Sequence, residues 1–313
     1  MIYRDAGAQG NLSRMGREPE QDLIGRTVAD KFEIQEFVGG GAMGAVYRAK
    51  QLALDKSVAL KILRAQFTSD PKFAARFQRE AKAASRLEHP NTTRIIDFGQ
   101  EPDGLLYIAM EYIRGADLHE VLKSEWPLST ERIIDILSQA LAALAVAHEM
   151  GVVHRDLKPE NLMILKGRGD DGQAKDIVKV CDFGIAKIDD TRRSRVDDSI
   201  VGTLTSDGFV LGTPSYMSPE QAVGKPADSR SDVYSMGVVL YQMLTLQRPF
   251  EGDTPLAILH KHANEPPKHP SEVARSADPA LCNVCLKALS KKPEDRYQSA
   301  REMRAALQAL AGA

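Results

Sequence analysis

The run His154-Arg155-Asp156-Leu157-Lys158-Pro159-Glu160-Asn161, followed by Asp182-Phe183-Gly184, constrains this chain more than any other feature. It sets an acid, a cation and an amide in one loop, and a second acid follows beside a glycine. Hard oxygen donors next to a fixed positive charge are what a metal-bound phosphate requires. A loop of merely polar capping residues would not place Asp, Lys, Asn and then a further Asp in that order. Any fold built from this chain must bring those separated stretches onto one site.

Size and composition set the frame. At 313 residues, 43% hydrophobic and 27% charged, the chain exceeds one ordinary core, so two lobes or two small domains are expected. Its 41 basic and 43 acidic side chains leave a net charge of -2, without the electrostatic footprint of a nucleic-acid or anionic-membrane binder. Three cysteines make no disulfide framework and suit a reducing cytosol. Cys282 and Cys285 form a CxxC, but they sit in the helical pattern Leu281, Cys285, Leu286, Leu289 with no second pair to complete four ligands, and read as core thiols. The longest uncharged apolar stretch, Val233 to Gln247, is too short and too polar to span a bilayer, and Met1 to Asp5 opens no signal peptide. A cytoplasmic location is expected.

Along the chain, residues 1–25 are polar and aperiodic and read as a disordered leader. From Lys31 strands follow: Phe32 to Val38, Ala45 to Ala49 and Ser57 to Leu63, the first two joined by a glycine-rich turn. Asp70-Pro71 opens a helix, Leu105 to Tyr112 returns to strand, and beyond Gly115 the pattern is mostly helical. From Thr130 to Met150, Ile133, Leu137, Ala140, Leu141, Leu144 and His148 mark one helix stripe, stopped by Gly151. Val233 to Leu244 is apolar nearly all round, as in a helix at a lobe's centre. The expected class is α+β: a small antiparallel sheet lobe with one key helix, residues 26–112, and a larger helical lobe, residues 113–313.

Three further features carry chemistry. Gly39, Gly41, Gly44 and Val46 fit GxGxxGxV, a hairpin whose bare backbone can approach phosphates and offer amide hydrogens, although alone it could be a flexible turn. Strand alternation puts Ala59, Lys61 and Leu63 on one face and Val58, Leu60 and Ile62 on the other, so Lys61 needs a partner. In the next helix Phe73, Phe77, Ala81, Ala84 and Leu87 form an apolar stripe with Glu80 at its centre. Glu80 either borders solvent or pairs with Lys61, aiming it at the α- and β-phosphates. In the loop, Asp156 is the residue to orient and deprotonate an attacking hydroxyl and Lys158 to neutralise the transferring phosphoryl group. Asn161 and Asp182 supply oxygens to magnesium.

These residues match the HRDxxxxN and DFG signatures, and the chain from about Phe32 to Leu310 resembles a bacterial eukaryotic-type Ser/Thr protein kinase. The resemblance implies ATP with Mg2+, or Mn2+ in its place, and transfer of the γ-phosphoryl group to Ser/Thr hydroxyls of protein substrates. It implies that Met110 is the gatekeeper, that Glu111 and Ile113 form the hinge at adenine, and that Asp117 meets ribose. Val46, Ala59 and Met163 would sandwich the base, and Val38 would join the ATP site. Gly212 to Glu220 matches the end of an activation segment, with Ser218 where many relatives have Ala. Thr213 would join Asp156 and Lys158 in receiving the acceptor hydroxyl, which favours Ser/Thr over Tyr. Glu220 would pair with Arg296, and Asp232 would hold the catalytic loop. Arg155 would receive an activating phosphate on Thr205 or, as second choice, Thr203. Self-association for phosphorylation in trans is a further implication.

Two departures stand out. Lys166 to Gly172 is a polar insertion that extends a surface turn, and Cys181 puts a thiol directly before Asp182, where packing is its expected role. Two rivals to the kinase expectation remain open at this stage: a pseudokinase scaffold and a small-molecule phosphotransferase on the same fold.

Overall fold

The computed structural model describes residues 23–41, 44–64, 71–168, 172, 174–183 and 214–311. Its first part is a six-stranded antiparallel sheet in the order β1-β2-β3-β4-β6-β5. These strands are β1 Thr27–Val28, β2 Phe32–Gly41, β3 Gly44–Gln51, β4 Lys56–Leu63, β5 Ile95–Gln100 and β6 Leu106–Glu111. Helix α1, Pro71–Ala84, lies between β4 and β5 in sequence. The expected strands and helix are present; β1 and β5 add two edges that short, mixed patterns did not announce.

Pairing in register sorts the sheet into two faces, because partners across an antiparallel ladder point the same way. Lys61 stands opposite Val46 and Ile108, and Ala59 opposite Met110. On that face Val46, Ala59, Leu63, Leu106, Ile108 and Met110 join Ala74 and Phe77 of α1 in one apolar cluster. The other face buries Phe32, Ile34, Tyr47, Val58, Leu60 and Ile62 in a separate cluster. One face therefore stabilises the sheet, while the other carries Lys61.

The helical part packs around α5, Ser229–Thr245, in which every residue from Ser231 to Thr245 is buried. A helix without a polar face has to sit at a centre. Around it lie α2 Leu118–Glu125, α3 Thr130–Glu149, α4 Pro219–Ala222, α6 Pro255–Asn264, α7 Pro270–Val273, α8 Pro279–Ala288 and α9 Ala300–Ala311. Helix α3 is capped by Ser129, buries Ile133, Leu137, Leu141 and Leu144, and ends before Gly151, whose φ of 74° only glycine adopts at low cost. Three short strands, β7 Ala116–Asp117, β8 Leu162–Arg168 and β9 Ala174–Val180, form a second sheet on its surface. The Lys166 to Gly172 insertion lengthens the β8–β9 hairpin, which stays paired out to Arg168 opposite Ala174. The result is a bilobal α+β fold. Among the described residues no helix is long and apolar enough to cross a membrane.

Candidate active site

Each lobe contributes an apolar cluster of the residues expected at the site. From the sheet come Val46 and Ala59, almost fully buried, with Met110 and the partly buried Val38. From the helical lobe come Ile113, Met163 and Cys181, backed by Leu165. At the open end of the sheet, Gly39 stands opposite Val46 and Gly41 opposite Gly44. A side chain on Gly44 would overlap the Ile62 carbonyl oxygen, while Gly41 has open space around it. Gly44 is thus required by the β3–β4 approach, and Gly41 leaves room for a ligand.

The polar residues converge from both lobes. Lys61 Nζ lies 2.9 Å from Asp182 Oδ2, joining the centre of the sheet to the second residue after β9. Lys158 Nζ lies 3.6 Å from Asp156 Oδ2. Asn161 donates its amide Nδ2 to the Asp156 carbonyl at 2.7 Å, which fixes the orientation of the side-chain amide. Asn161 O in turn accepts from Cys181 N at 2.9 Å, so the two motif segments are stitched backbone to backbone. Glu80 sits half-buried on α1, flanked by the buried Phe77 and Ala81.

Two non-glycine residues of this site, Arg155 and Asp182, have left-handed backbones, with φ of 63° and 56°. Such conformations cost about 1–3 kcal/mol each and persist only where neighbours hold them. The holder of the first is Asp232, buried at the start of α5. Its carboxylate accepts from His154 N at 2.8 Å, Arg155 N at 2.9 Å and His148 Nε2 at 2.7 Å. Burial alone would raise the Asp232 pKa, but these donors outweigh it and hold the group below the ordinary carboxylate range. His154, itself fully buried, donates Nε2–H to the Cys181 carbonyl at 2.8 Å and stacks near Phe183 at 5.0 Å. Burial lowers its pKa, so it stays a neutral strut between the two motifs.

Asp117 is buried and caps α2, accepting from Glu120 N at 2.9 Å. The Glu111 carboxylate accepts through one oxygen, Oε1, from Lys179 Nζ at 2.8 Å and Arg94 N at 2.9 Å. Lys179 also reaches the Thr92 carbonyl, and Asn91 bonds Val178 O at 2.7 Å, so β9 is tied to the sheet lobe beside the hinge. These ties were not legible in the sequence.

The segment after residue 213 is anchored below the catalytic loop. Ser215 accepts from Arg248 through Oγ at 2.9 Å and from His262 Nε2 through its carbonyl at 3.0 Å. Gln221 donates to the Arg155 carbonyl at 3.1 Å, and Ser218, buried, is the cap of α4. Glu220 and Arg296 form a buried two-pronged ion pair, both contacts at 2.8 Å. Thr203, Thr205 and Thr213 lie outside the described residues.

Cys181 has an unreactive setting. Burial pushes its thiol up to about 12, although the Thr93 hydroxyl, 3.0 Å from Sγ, pulls the other way. We therefore expect iodoacetamide at pH 8 to leave Cys181 unmodified in the folded chain and to alkylate it after denaturation, as read by peptide mass spectrometry. Labelling of the folded chain at full rate would contradict this.

A bilobal fold with a lysine from the sheet paired to an acid after β9, above an Asp–Lys–Asn loop, has the architecture of a phosphoryl-transfer enzyme. The family model "Protein kinase domain" matches residues 32–308, and this chain belongs to that family. It is 51% identical to Serine/threonine-protein kinase pkn3 of Myxococcus xanthus, over 94% of this chain and 52% of that protein. It is 43% identical to Serine/threonine-protein kinase PknB of Mycolicibacterium smegmatis, over 90% of this chain and 43% of that protein. The chain thus spans about half the length of these relatives or less. The solved kinase domain of Mycobacterium tuberculosis PknI superposes with a TM-score of 0.69 at 27% identity, covering 91% of this chain and 98% of that one.

Proposed function

We propose that this chain transfers the γ-phosphoryl group of ATP to Ser and Thr hydroxyls of proteins. The observation that carries the reading is the Lys61–Asp182 ion pair, which draws a cation from the sheet lobe to an acid beside the Asp156 loop. Val38, Val46, Ala59 and Met110 would cover the adenine and Met163 would support it, with Glu111 and Ile113 offering main-chain groups and Asp117 lying by the ribose. Gly39, Gly41 and Gly44 would bring amides to the phosphates. Lys61, oriented by Glu80, would hold the α- and β-phosphates.

The donor set fits a hard divalent cation, Mg2+ with Mn2+ as a substitute: the Asp182 carboxylate and the amide oxygen of Asn161, whose Nδ2 is already held by the Asp156 carbonyl. Such an ion, when bound, neutralises charge on the phosphate oxygens. Asp156 orients the acceptor hydroxyl and accepts its proton; Lys158 and Thr213 steady the acceptor and the transferring group. The phosphoryl group leaves ADP and forms its new bond to the Ser or Thr oxygen. Arg155 would bind a phosphate on Thr205 or Thr203, placed there in trans by a second copy. Residues 26–112 and 113–313 are the two lobes of this proposed cytoplasmic enzyme, preceded by a leader.

The test is incubation with γ-labelled ATP, Mg2+ and a generic basic protein, followed by phosphoamino-acid analysis. Label on Ser or Thr is expected. Label only on small-molecule acceptors, or nucleotide binding without any transfer, would overturn the reading in favour of a phosphotransferase or a scaffold.

A further inference from the structure

An open groove of about 630 Å³ runs alongside α4, the direct continuation of the segment anchored beneath the catalytic loop. It uses none of the proposed catalytic or nucleotide-binding residues. One wall is α4 and the turn after it, with Val223, 52% exposed, and Lys225; the opposite wall is the end of α6 and the Lys291 to Glu294 turn.

Its floor is rigid. Arg296 spends all five N–H donors, on both Glu220 oxygens and on the carbonyls of Ser290, Arg230 and Lys291, at 2.8–3.0 Å. Ser218 caps α4 and bonds Gln221 reciprocally. A cavity walled by elements fixed in this way needs no backbone rearrangement on binding, which leaves only its exposed lysine side chains to be ordered.

The charges lining the groove do not cancel. Glu220 is neutralised by Arg296, and Asp228 is held by Arg230 at 2.7 Å, so two of its carboxylates are already matched. Glu294 remains, against Lys225, Lys291 and Lys292. Lys225 and Lys292 are exposed, and among the described residues neither makes an ion pair. Lys291 faces the Phe250 ring at 4.3 Å and the carbonyls of Lys261 and His262, none of which carries a negative charge. A surplus of cations above an apolar wall suits an anionic chain bearing methylenes, which is what consecutive glutamates present.

We propose that this groove docks an acidic stretch of the protein acceptor, several residues away from the hydroxyl that is phosphorylated. Gln221 ties α4, one wall of the groove, to the catalytic loop through Arg155 O, which sets that wall beside the loop that carries Asp156. This docking rests on the protein-kinase reading for its purpose, but the groove's chemistry can be measured separately.

The probe is a fluorescein-labelled peptide in which one threonine is separated by a spacer of several glycine and alanine residues from four glutamates, compared with the same peptide carrying four glutamines. By anisotropy at low salt, the whole chain should bind the glutamate peptide about fivefold or more tightly, with the preference fading as salt is added. The Lys225→Glu/Lys292→Glu variant should lose the preference and keep its melting temperature, since both side chains are exposed. In the kinase assay the glutamate peptide should show a matching fall in KM, and the glutamine peptide should behave alike with both proteins. Equal binding of the two peptides, or a preference that survives the charge reversal, overturns the proposal. If neither peptide is phosphorylated but the preference appears and vanishes on charge reversal, the kinase reading fails and the acidic-peptide site stands.

Discussion

Asp156→Asn should lower kcat roughly 10²–10⁴-fold, the range associated with removing a positioned general base. Asparagine keeps the size and one oxygen of the side chain but cannot accept the hydroxyl proton. The backbone bonds that hold the loop do not use the carboxylate: the Asp156 amide bonds His154 Nδ1 at 3.3 Å and its carbonyl accepts from Asn161 at 2.7 Å, while the carboxylate itself lies 3.6 Å from Lys158 Nζ. Asp232 fixes the two preceding amides from α5. ATP affinity should therefore stay within about twofold of wild type while turnover collapses, a loss confined to the transition state. Steady-state kinetics with ATP and a protein acceptor make the comparison. A drop below tenfold would mean that another group takes the proton.

Arg296→Met should cost about 3–5 kcal/mol of stability, because it strands a buried carboxylate. The Arg296 side chain has no exposed surface, and the Glu220 side chain is only 10% exposed. Methionine fills much of the volume but leaves Glu220 with only the Ser231 hydroxyl, 2.5 Å away, among the side-chain partners it has now. By the usual scaling this amounts to a fall in Tm of roughly 6–20 °C. Adding Glu220→Gln should recover part of it, since the stranded charge is then gone.

The pH dependence carries the sign. Burial alone would raise the Glu220 pKa, but in the wild type Arg296 and Ser231 outweigh it and the pKa is held low. The wild-type contribution is therefore complete above the ordinary glutamate range near ~4.3 and is lost as pH falls through the lower folded value. In the variant burial is opposed only by the Ser231 hydroxyl and a backbone amide, the Arg296 contribution is lost and the folded pKa rises, so the penalty grows as pH climbs through it. Melting curves at pH 5 and pH 8 should show the gap between wild type and variant narrowing at the lower pH. A constant gap would show that lost packing, and not the charge, sets the cost.

Local patterns in the sequence carry what depends on local rules. Alternation in β4 put Lys61 on a different face from Leu60 and Ile62, and the sheet register agrees. Periodicity located α3 to within a residue and marked α5 as central. The ties of Asn91 and Thr92 to Val178 and Lys179 had no such signal, because a side chain bonding a carbonyl 87 residues away leaves no periodic trace. Asp117 illustrates a different gap: one carboxylate can cap a helix and also be assigned to a ribose, and sequence alone shows only that the acid precedes Leu118. Glu80 was read at the centre of an apolar stripe, and it is half-buried because Ala74 turns further inward than Phe73.

The central claim is that Lys61, Asp156, Asn161 and Asp182 serve one metal-bound nucleotide. Electron paramagnetic resonance of Mn2+, titrated into the chain with a non-hydrolysable ATP analogue, tests it most directly. Wild type should remove free Mn2+ signal in an analogue-dependent manner, and Asp182→Asn and Asn161→Ala should each weaken that uptake by tenfold or more. Uptake unchanged in both variants would contradict the account.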